Sequence, residues 1–241
     1  MNSNWQNFLA TRGARIEAGQ VHDFGDAQSE LAAAGSGTVL APLTQFGLIR
    51  ATGEDAAAFL PNLLSNDIQH LGRNHAERCG FCSPKGRLLA DFLIWRENND
   101  YLLQLSADIQ PAILKKLGMY VLRSKVKLTD ASTDTVLFGI AGDGAEAALK
   151  ASGLEIPAAP FDVSHFADGS AIRLDGHRYQ LALRPEAAAR MWDQLAPLAK
   201  PVGATSWRWL EVAAGVPPIP SFTPEEFVAP KANPRVIGGV G

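Results

Sequence analysis

The sequence contains few cysteines, no long uninterrupted apolar stretch and no large excess of either charge. Two cysteines in 241 residues cannot cross-link a chain of this size, so a fold held by disulfides is excluded. Charged residues interrupt every apolar stretch before it reaches the roughly 20 residues of a membrane span, and we expect no membrane partner. The formal net charge of −3 argues against an obligate nucleic-acid coat protein. The chain must therefore fold by burying its own apolar residues.

Motifs that mark several common site classes are also missing. The sequence has no G-x-x-x-x-G-K-[ST] phosphate loop, no G-x-S-x-G nucleophile elbow and no complete dinucleotide fingerprint. Met1–Arg15 lacks a basic segment followed by an apolar core, so we expect no secretory signal and a cytoplasmic protein. Cys79 and Cys82 have metal-ligand spacing, but an offset of three within a predicted strand points their side chains to opposite faces. We therefore predict no metal site.

After residue 37, predicted strands and helices recur in the same order. Gly142–Ala145 echoes Gly53–Ala56, and Tyr179–Leu183 resembles Tyr101–Leu105. The order predicts an α+β fold of two β-α-β-β-α-β modules, which is the plan of ferredoxin-like domains. Coincidental similarity between ordinary amphipathic elements is the alternative interpretation.

Composition and element order together predict the domain boundaries. Residues 38–134 form the first predicted subdomain, completed by residues 205–241, and residues 135–204 form the second. Residues 1–37 are an N-terminal segment that ends in a glycine-rich break.

One predicted helix contains a proline. An apolar stripe at helical spacing comprises Ala56, Phe59, Leu60, Leu63 and Leu64. Pro61 lies inside that stripe, and we expect it to kink the helix or to mark a shift in where the helix begins, because its ring removes a donor and crowds the preceding turn.

Basic residues concentrate in two segments. No acid occurs between Asp108 and Asp130, and that interval holds Lys115, Lys116, Arg123, Lys125 and Lys127. Lys85 and Arg87 flank Gly86 in a predicted turn. Together the two segments would form an anion-attracting wall if they border one cleft. The alternative is a solvated helix face with scattered strand charges.

Two tryptophans precede a carboxylate near the end of the sequence. Trp207 and Trp209 lie just before Glu211, and indoles near a carboxylate can stack on and hydrogen-bond a planar heterocycle. The alternative is that they anchor the core.

From about Leu40 onward, the sequence resembles the folate-binding YgfZ-like proteins, relatives of the glycine-cleavage T-protein aminomethyltransferases. The resemblance rests on short motifs in a specific order: Gly53–Ala56 with Phe59 and Leu60, Leu64–Asp67, Cys82–Arg87 with Asp91 and Phe92, Tyr120–Lys127, Ala214–Pro217, and Glu226–Phe227 leading to Asn233 and Ile237–Val240. It implies two ferredoxin-like subdomains around a central channel, followed in full-length members by a C-terminal β-barrel domain. It also implies a role in iron–sulfur cluster assembly or repair, and thereby in tRNA modification.

The sequence departs from the family pattern in three places. The first of the paired acids of the aminomethyltransferases corresponds to Ala90, which leaves Asp91 without its neighbour, so we expect a non-catalytic protein. The pterin-recognising Glu corresponds to Ala213, with Glu211 two residues earlier. The chain stops at Gly241, before the family's cysteine motif, so we expect the barrel domain to be missing.

The leading hypothesis is a tetrahydrofolate-binding accessory protein of iron–sulfur metabolism, with assembly or client proteins as partners. The predicted folate-binding residues are Asn66, Lys85, Arg87, Asp91, Arg123, Lys125, Trp207 and Glu211. Cations among them would bind the glutamate carboxylates of the folate. One alternative is a folate-dependent one-carbon transferase that uses Asp91. Another is a protein- or RNA-binding module that uses the basic segments without folate.

Overall fold

The computed structural model describes residues 2–216. The described chain divides into a central unit, Phe46–Ala131, and a discontinuous unit built from the residues up to Gln45 and Ser132–Ala214. Family motifs beyond Val216 lie outside the described residues.

The central unit is a five-stranded sheet with helices on one face. Its elements are β4 (Phe46–Thr52), α3 (Ala56–Phe59), β5 (Glu77–Cys82), β6 (Leu88–Glu97), β7 (Asp100–Ser106), α4 (Gln110–Gly118) and β8 (Lys127–Asp130). The strands lie in the order β5-β6-β7-β4-β8, and every neighbouring pair is antiparallel. The helix-covered face carries the apolar core of this unit, including Ile49, Phe92, Ile94, Leu103 and Leu117.

The predicted helix of the Ala56–Leu64 stripe is interrupted at Pro61. Helix α3 ends at Phe59, and the chain continues as a 3-10 turn, Leu60–Asn62, with Pro61 near its start. The proline ring cannot donate to the preceding turn, so the α-helical pattern stops there. Phe59 and Leu60 remain buried in the core despite the change of helix type.

The discontinuous unit contains the remaining elements. Before the central unit come α1 (Ser3–Thr11), β1 (Arg15–Glu17), β2 (Gln20–Asp23), α2 (Ala27–Ser36) and β3 (Val39–Pro42). After it come β9 (Val136–Ala141), α5 (Ala145–Ala151), β10 (Val163–Phe166), β11 (Gly169–Arg173), β12 (Arg178–Leu183), α6 (Pro185–Leu195), β13 (Lys200–Pro201) and α7 (Ala204–Ala213). Its six-stranded sheet has the order β10-β11-β12-β9-β3-β13, and β1 pairs with β2 in a separate ribbon.

The two sheets share one plan, with one strand supplied from elsewhere in the sequence. In the central unit, β4 pairs with β8, the last strand of the same stretch of chain. In the discontinuous unit, the equivalent neighbour of β9 is β3, which comes from before the central unit. β13 pairs in parallel with the outer side of β3.

Matching glycines support the repeat. An added Cβ at Gly53, which has φ +116°, would lie 2.0 Å from the carbonyl oxygen of Lys125. An added Cβ at Gly142, which has φ +107°, would lie 2.0 Å from the carbonyl oxygen of Gly37. Gly53, after β4, therefore contacts the backbone just before β8, the strand that pairs with β4. Gly142, after β9, likewise contacts the backbone just before β3, the strand that pairs with β9.

The domain boundaries differ from the predicted ones in three respects. Residues 38–45 belong to the discontinuous unit, because β3 pairs with β9. The N-terminal residues are part of the same unit, since Trp5, Leu9 and Val21 lie in its core. Helix α7 also belongs there and packs on α2, so residues 205–214 do not complete the central unit.

No helix in residues 2–216 is long and apolar enough to cross a membrane.

Replacing Gly142 with alanine should destabilise the protein by roughly 2–4 kcal/mol, because the new Cβ meets a backbone oxygen and the residue needs a left-handed φ. Gly153→Ala is the matched control: Gly153 has φ +78° with nothing within 4 Å of an added Cβ, so only the conformational cost of about 1–2 kcal/mol applies. Urea unfolding of the two variants measures the difference. Equal losses would contradict the close approach.

Candidate functional site

A polar cluster lies beside β5 in the central unit. The Asn66 side-chain amide donates to the Glu77 carboxylate at 2.9 Å and to the Arg78 carbonyl at 3.2 Å. Ser65 exchanges hydrogen bonds with the backbone of Gly80, accepting at its Oγ and donating from its N–H, at 2.8 Å each. The segment of Ser65 and Asn66 thus extends the edge of the sheet, with Asn66 only 9% exposed.

Asp91 lies on β6 across from this edge. It pairs directly with Gly80, and Arg78 pairs with Leu93, so Arg78 and Asp91 share the sheet face opposite the helices. The Arg78 guanidinium approaches the Asp91 carboxylate at 3.7 Å, with the two side chains only 10% and 18% exposed. This distance is an ion-pair contact but too long for a hydrogen bond.

The environment of Asp91 favours its protonated form. Burial raises the pKa of the Asp91 carboxyl, and the positive charge of Arg78 opposes that rise without cancelling it. Among the described residues, the buried Nε of Arg78 and the buried indole N–H of Trp95 have no hydrogen-bond partner. Trp95 lies four residues after Asp91 on the same strand and so faces the same side. Buried donors without partners cost stability unless something accepts from them.

The Lys85–Arg87 segment forms the predicted tight turn between β5 and β6. Ser83 donates to the Arg87 carbonyl at 2.7 Å, and Gly86 donates to the Ser83 carbonyl at 2.9 Å. Gly86 takes φ +69°, which favours glycine. Lys85 and Arg87 are exposed on this turn, where they can reach an anion.

The structure does not bring the two basic segments together within the central unit. The Lys85–Arg87 turn precedes the first residue of β6, whereas Lys127 at the start of β8 pairs with Thr52. Thr52 lies at the same end of the sheet as the last residues of β6, because Ala51 pairs with Tyr101 and Tyr101 pairs with Arg96. The segments therefore lie at opposite ends of a strand roughly 30 Å long and beside opposite edges of the sheet. The antiparallel register thus separates the proposed wall into two surfaces.

Arg123 and Lys125 lie in the connection between α4 and β8. The Lys125 ammonium contacts Glu54 at 2.7 Å, with both side chains mostly exposed. The backbone N–H of Lys125 donates to the Asp55 carboxylate at 2.7 Å. Arg123 is exposed.

Trp207 and Glu211 lie on α7 of the discontinuous unit. Trp207 is 1% exposed, and its ring atoms lie 2.2–2.7 Å from where a Cβ at Gly139 would be. The indole thus packs against the glycine backbone, in agreement with the core-anchor alternative. Glu211, one turn later, is half-buried, and Trp209 is 44% exposed.

The two cysteines face opposite sides of β5, as the strand pattern predicts. Cys79 belongs to the apolar core, whereas Cys82 is half-buried at the strand end. Burial raises the pKa of each thiol, which disfavours the thiolate that binds metals and acts as a nucleophile. Within residues 2–216, no group of three or more His, Cys, Asp or Glu side chains is arranged to hold a metal ion.

Sequence reasoning missed several residues of the polar cluster. Arg78 and Trp95 share the face of Asp91 only through the register of β5 against β6, whereas Glu77 lies opposite Ile94 and meets Asn66 at the sheet edge. Alternation along the predicted strands could have placed Arg78 and Asp91 on matching faces, but their register depends on tertiary pairing.

Comparison with known proteins identifies the family. Residues 18–207 match the GCVT N-terminal domain family, and the chain belongs to it. Aminomethyltransferase T of the glycine cleavage system from Bartonella henselae has a similar structure, with a TM-score of 0.78 at 18% identity, covering 90% of this chain and 63% of that one. The shared architecture is a mixed α+β fold with several sheets.

Within this superfamily the chain is YgfZ-like. It is 25% identical over 216 residues to the tRNA-modifying protein YgfZ of Yersinia pestis (strain Pestoides F), covering 89% of this chain and 65% of the relative. It is 25% identical over 203 residues to the protein of that name from Sodalis glossinidius (strain morsitans), covering 83% of this chain and 62% of the relative. The chain thus spans less than two thirds of the length of these curated relatives.

The stability of the protein should carry a pH signature of Asp91. Its pKa is higher in the folded than in the unfolded chain, so its contribution to stability is present below the unfolded pKa of about 3.9 and is lost as the pH rises through the folded pKa. Relative to Asp91→Asn, the wild type should therefore lose unfolding free energy as the pH rises from about 4. Urea titrations between about pH 3 and 8 measure this difference.

Asp168→Asn provides the control of opposite sign. A hydrogen bond from Arg184 lowers the pKa of Asp168, so its contribution is present above the unfolded pKa and is lost as the pH falls through the folded pKa. If the wild type and Asp91→Asn show parallel pH profiles, the burial of a titrating Asp91 carboxyl is refuted.

Proposed function

We propose that the protein binds a reduced folate, tetrahydrofolate, on the central sheet. The observation that carries this proposal is the buried pair of Arg78 and Asp91 next to the Asn66 segment, with buried donors at Arg78 and Trp95 whose partners are not supplied by the described residues. A pterin ring offers both donors and acceptors to such a cluster. Membership of a family related to aminomethyltransferase T supports the same ligand class.

The Lys85–Arg87 turn is our proposed site for the glutamate carboxylates of the folate. Arg87 precedes Asp91 by four residues along an extended chain, a separation of about 13 Å. That span is comparable with the length of a p-aminobenzoyl-glutamate arm. Lys and Arg side chains form charge-assisted hydrogen bonds with carboxylates, and Arg can do so with two parallel bonds.

The remaining predicted folate-binding residues lie outside the Arg78–Asp91 site and the Lys85–Arg87 turn. Arg123 and Lys125 stay predictions, since the register separates them from the Lys85–Arg87 turn. Glu211 and Trp207 stay predictions as well, with Trp207 also serving its own unit as a packing residue.

We infer further that the protein acts as a cytoplasmic accessory factor in iron–sulfur cluster assembly or repair, and thereby in tRNA modification. The names of its curated relatives, tRNA-modifying proteins YgfZ, support the second part. Iron–sulfur assembly or client proteins are its proposed partners. The strand orders support classing each unit as ferredoxin-like, and the family's arrangement around a central channel remains part of the proposal.

Titration calorimetry with tetrahydrofolate tests the ligand and its anionic anchor. We expect saturable binding that weakens with salt, and a loss of affinity of roughly 10-fold or more in Lys85→Ala/Arg87→Ala, because two charge-assisted contacts disappear. Lys127→Ala/Lys150→Ala removes the same charge from other exposed positions and should leave the affinity within about 2-fold. No saturable binding, or equal affinities of the two double variants, would remove this site.

A folate-dependent one-carbon transferase is the second candidate, favoured by the raised pKa of the buried Asp91. A carboxyl of that kind can move a proton during carbon transfer. We nevertheless expect no turnover, because Ala90 lies in the apolar core on the helix-covered face, and Glu97, the other acid on this strand, lies at its far end in an ion pair with Arg50. Folate-dependent methylene transfer by the wild type, abolished in Asp91→Asn, would establish the transferase instead.

A further inference from the structure

The connection after α4 exposes large apolar side chains. Leu122 is 88% exposed, Met119 61% and Tyr120 41%. Leu122 also has φ +43°, a left-handed conformation that leucine rarely adopts. Leu122 is a central residue of the turn in which the Ser124 N–H donates to the Val121 carbonyl at 2.8 Å. The turn therefore holds an apolar side chain in solvent at a strained backbone position. Strained conformations of this kind concentrate at functional sites.

A cavity lies beside these side chains. It has a volume of about 320 Å³ and is lined by Asp55, Phe59, Asn62, Leu63, Tyr120 and Ser124, with Ala58 completing its wall. A more open hollow of about 710 Å³ adjoins it through Asp55, Tyr120 and Ser124, and Leu122 and Arg123 line its outer part. Tyr120 is held edge-on against Phe81, with the ring centroids 6.4 Å apart. A partly apolar hollow of this size admits one large apolar side chain.

Two lysines border this surface on the helix side, whereas the Asp55 carboxylate on the hollow's other side already accepts a hydrogen bond from the Lys125 backbone. Lys115 and Lys116 lie in the last turn of α4, one turn before Met119 and Tyr120, so these side chains share a face. Neither Lys115 nor Lys116 has a carboxylate partner among residues 2–216. The sequence has no acid between Asp108 and Asp130. A ligand that neutralises this face must carry negative charge.

We propose that Lys115, Lys116, Met119, Tyr120 and Leu122, named here the Leu122 surface, dock an acidic segment of a partner protein. A large apolar side chain of that segment enters the hollow beside Tyr120, and its flanking carboxylates face Lys115 and Lys116. A protein fits better than RNA, because the two most exposed side chains, Leu122 and Met119, offer no flat face on which a base can stack, and the Tyr120 ring is held edge-on against Phe81. Central apolar anchors with a charged rim are the usual pattern of protein recognition.

In-cell photo-crosslinking tests this assignment on the full chain. p-Benzoylphenylalanine replaces Met119, and the cross-linked species is digested and sequenced by mass spectrometry. We expect a position-specific cross-link to one protein, at a segment rich in Asp and Glu that contains a large apolar residue. The same probe at the exposed Asn99 of the β6–β7 hairpin is the position control and should not label that segment.

Two variants separate docking from folding. Leu122→Gly should cut the cross-link yield at least about 10-fold, while the melting temperature stays equal or rises, because glycine adopts the positive φ without strain. Lys115→Glu/Lys116→Glu should cause a similar loss through charge reversal. These variants leave the residues proposed for folate unchanged, so calorimetry with tetrahydrofolate distinguishes failure of docking from failure of folate binding.

Several outcomes would overturn the proposal. They are a cross-link to RNA, a cross-linked segment without acidic residues, labelling that is equal from Met119 and Asn99, or a yield that survives both Leu122→Gly and the charge reversal. The absence of any cross-link in cells that express the protein would overturn it as well.

Discussion

The pairing of β3 with β9 is the constraint on which the architecture depends. It joins Val39–Pro42 to Val136–Ala141 across the whole intervening central unit. That separation is possible because the central unit returns the chain near its starting point: β4 and β8 are paired neighbours, with Ile49 opposite Asp130. A unit whose ends lie close together can be inserted between two strands without breaking their pairing. The central unit therefore has the geometry of an insertion.

The same register also organises the candidate site. Because Gly80 lies opposite Asp91 and is bonded to Ser65, three neighbouring segments lie side by side here, and Arg78 and Asp91 share the sheet face away from the helices. A carboxylate there costs free energy to desolvate, and Arg78 compensates only in part. A polar group kept in such a position, beside donors without partners, is more typical of ligand binding than of stability. The exposed cations of the Lys85–Arg87 turn then complement this buried cluster from the strand end.

Local sequence patterns predicted the helices and strands well. The positions of aromatic and charged side chains relative to one another depend on the tertiary structure. The strand Glu77–Cys82 and the Pro61 boundary follow from alternation and from the missing proline donor, both of which act over a few residues. Trp5 and Leu9 carried a usable signal, since their i, i+4 spacing marks a helical face. The helix is short and most of its other residues are polar or small, so this signal was missed. The N-terminal segment was therefore not predicted to join the core.

The sequence by itself determined the α+β class, the repeated order of elements, the family resemblance and the tight Lys85–Arg87 turn, because each depends on residues that are neighbours along the chain. Only the tertiary structure decided that β3 completes the sheet of β9, that Arg78 meets Asp91 and that the two basic segments lie apart. Strand register and sheet order are set by contacts between distant segments. A single sequence records which side chains each strand presents, but the partner strand determines what they meet.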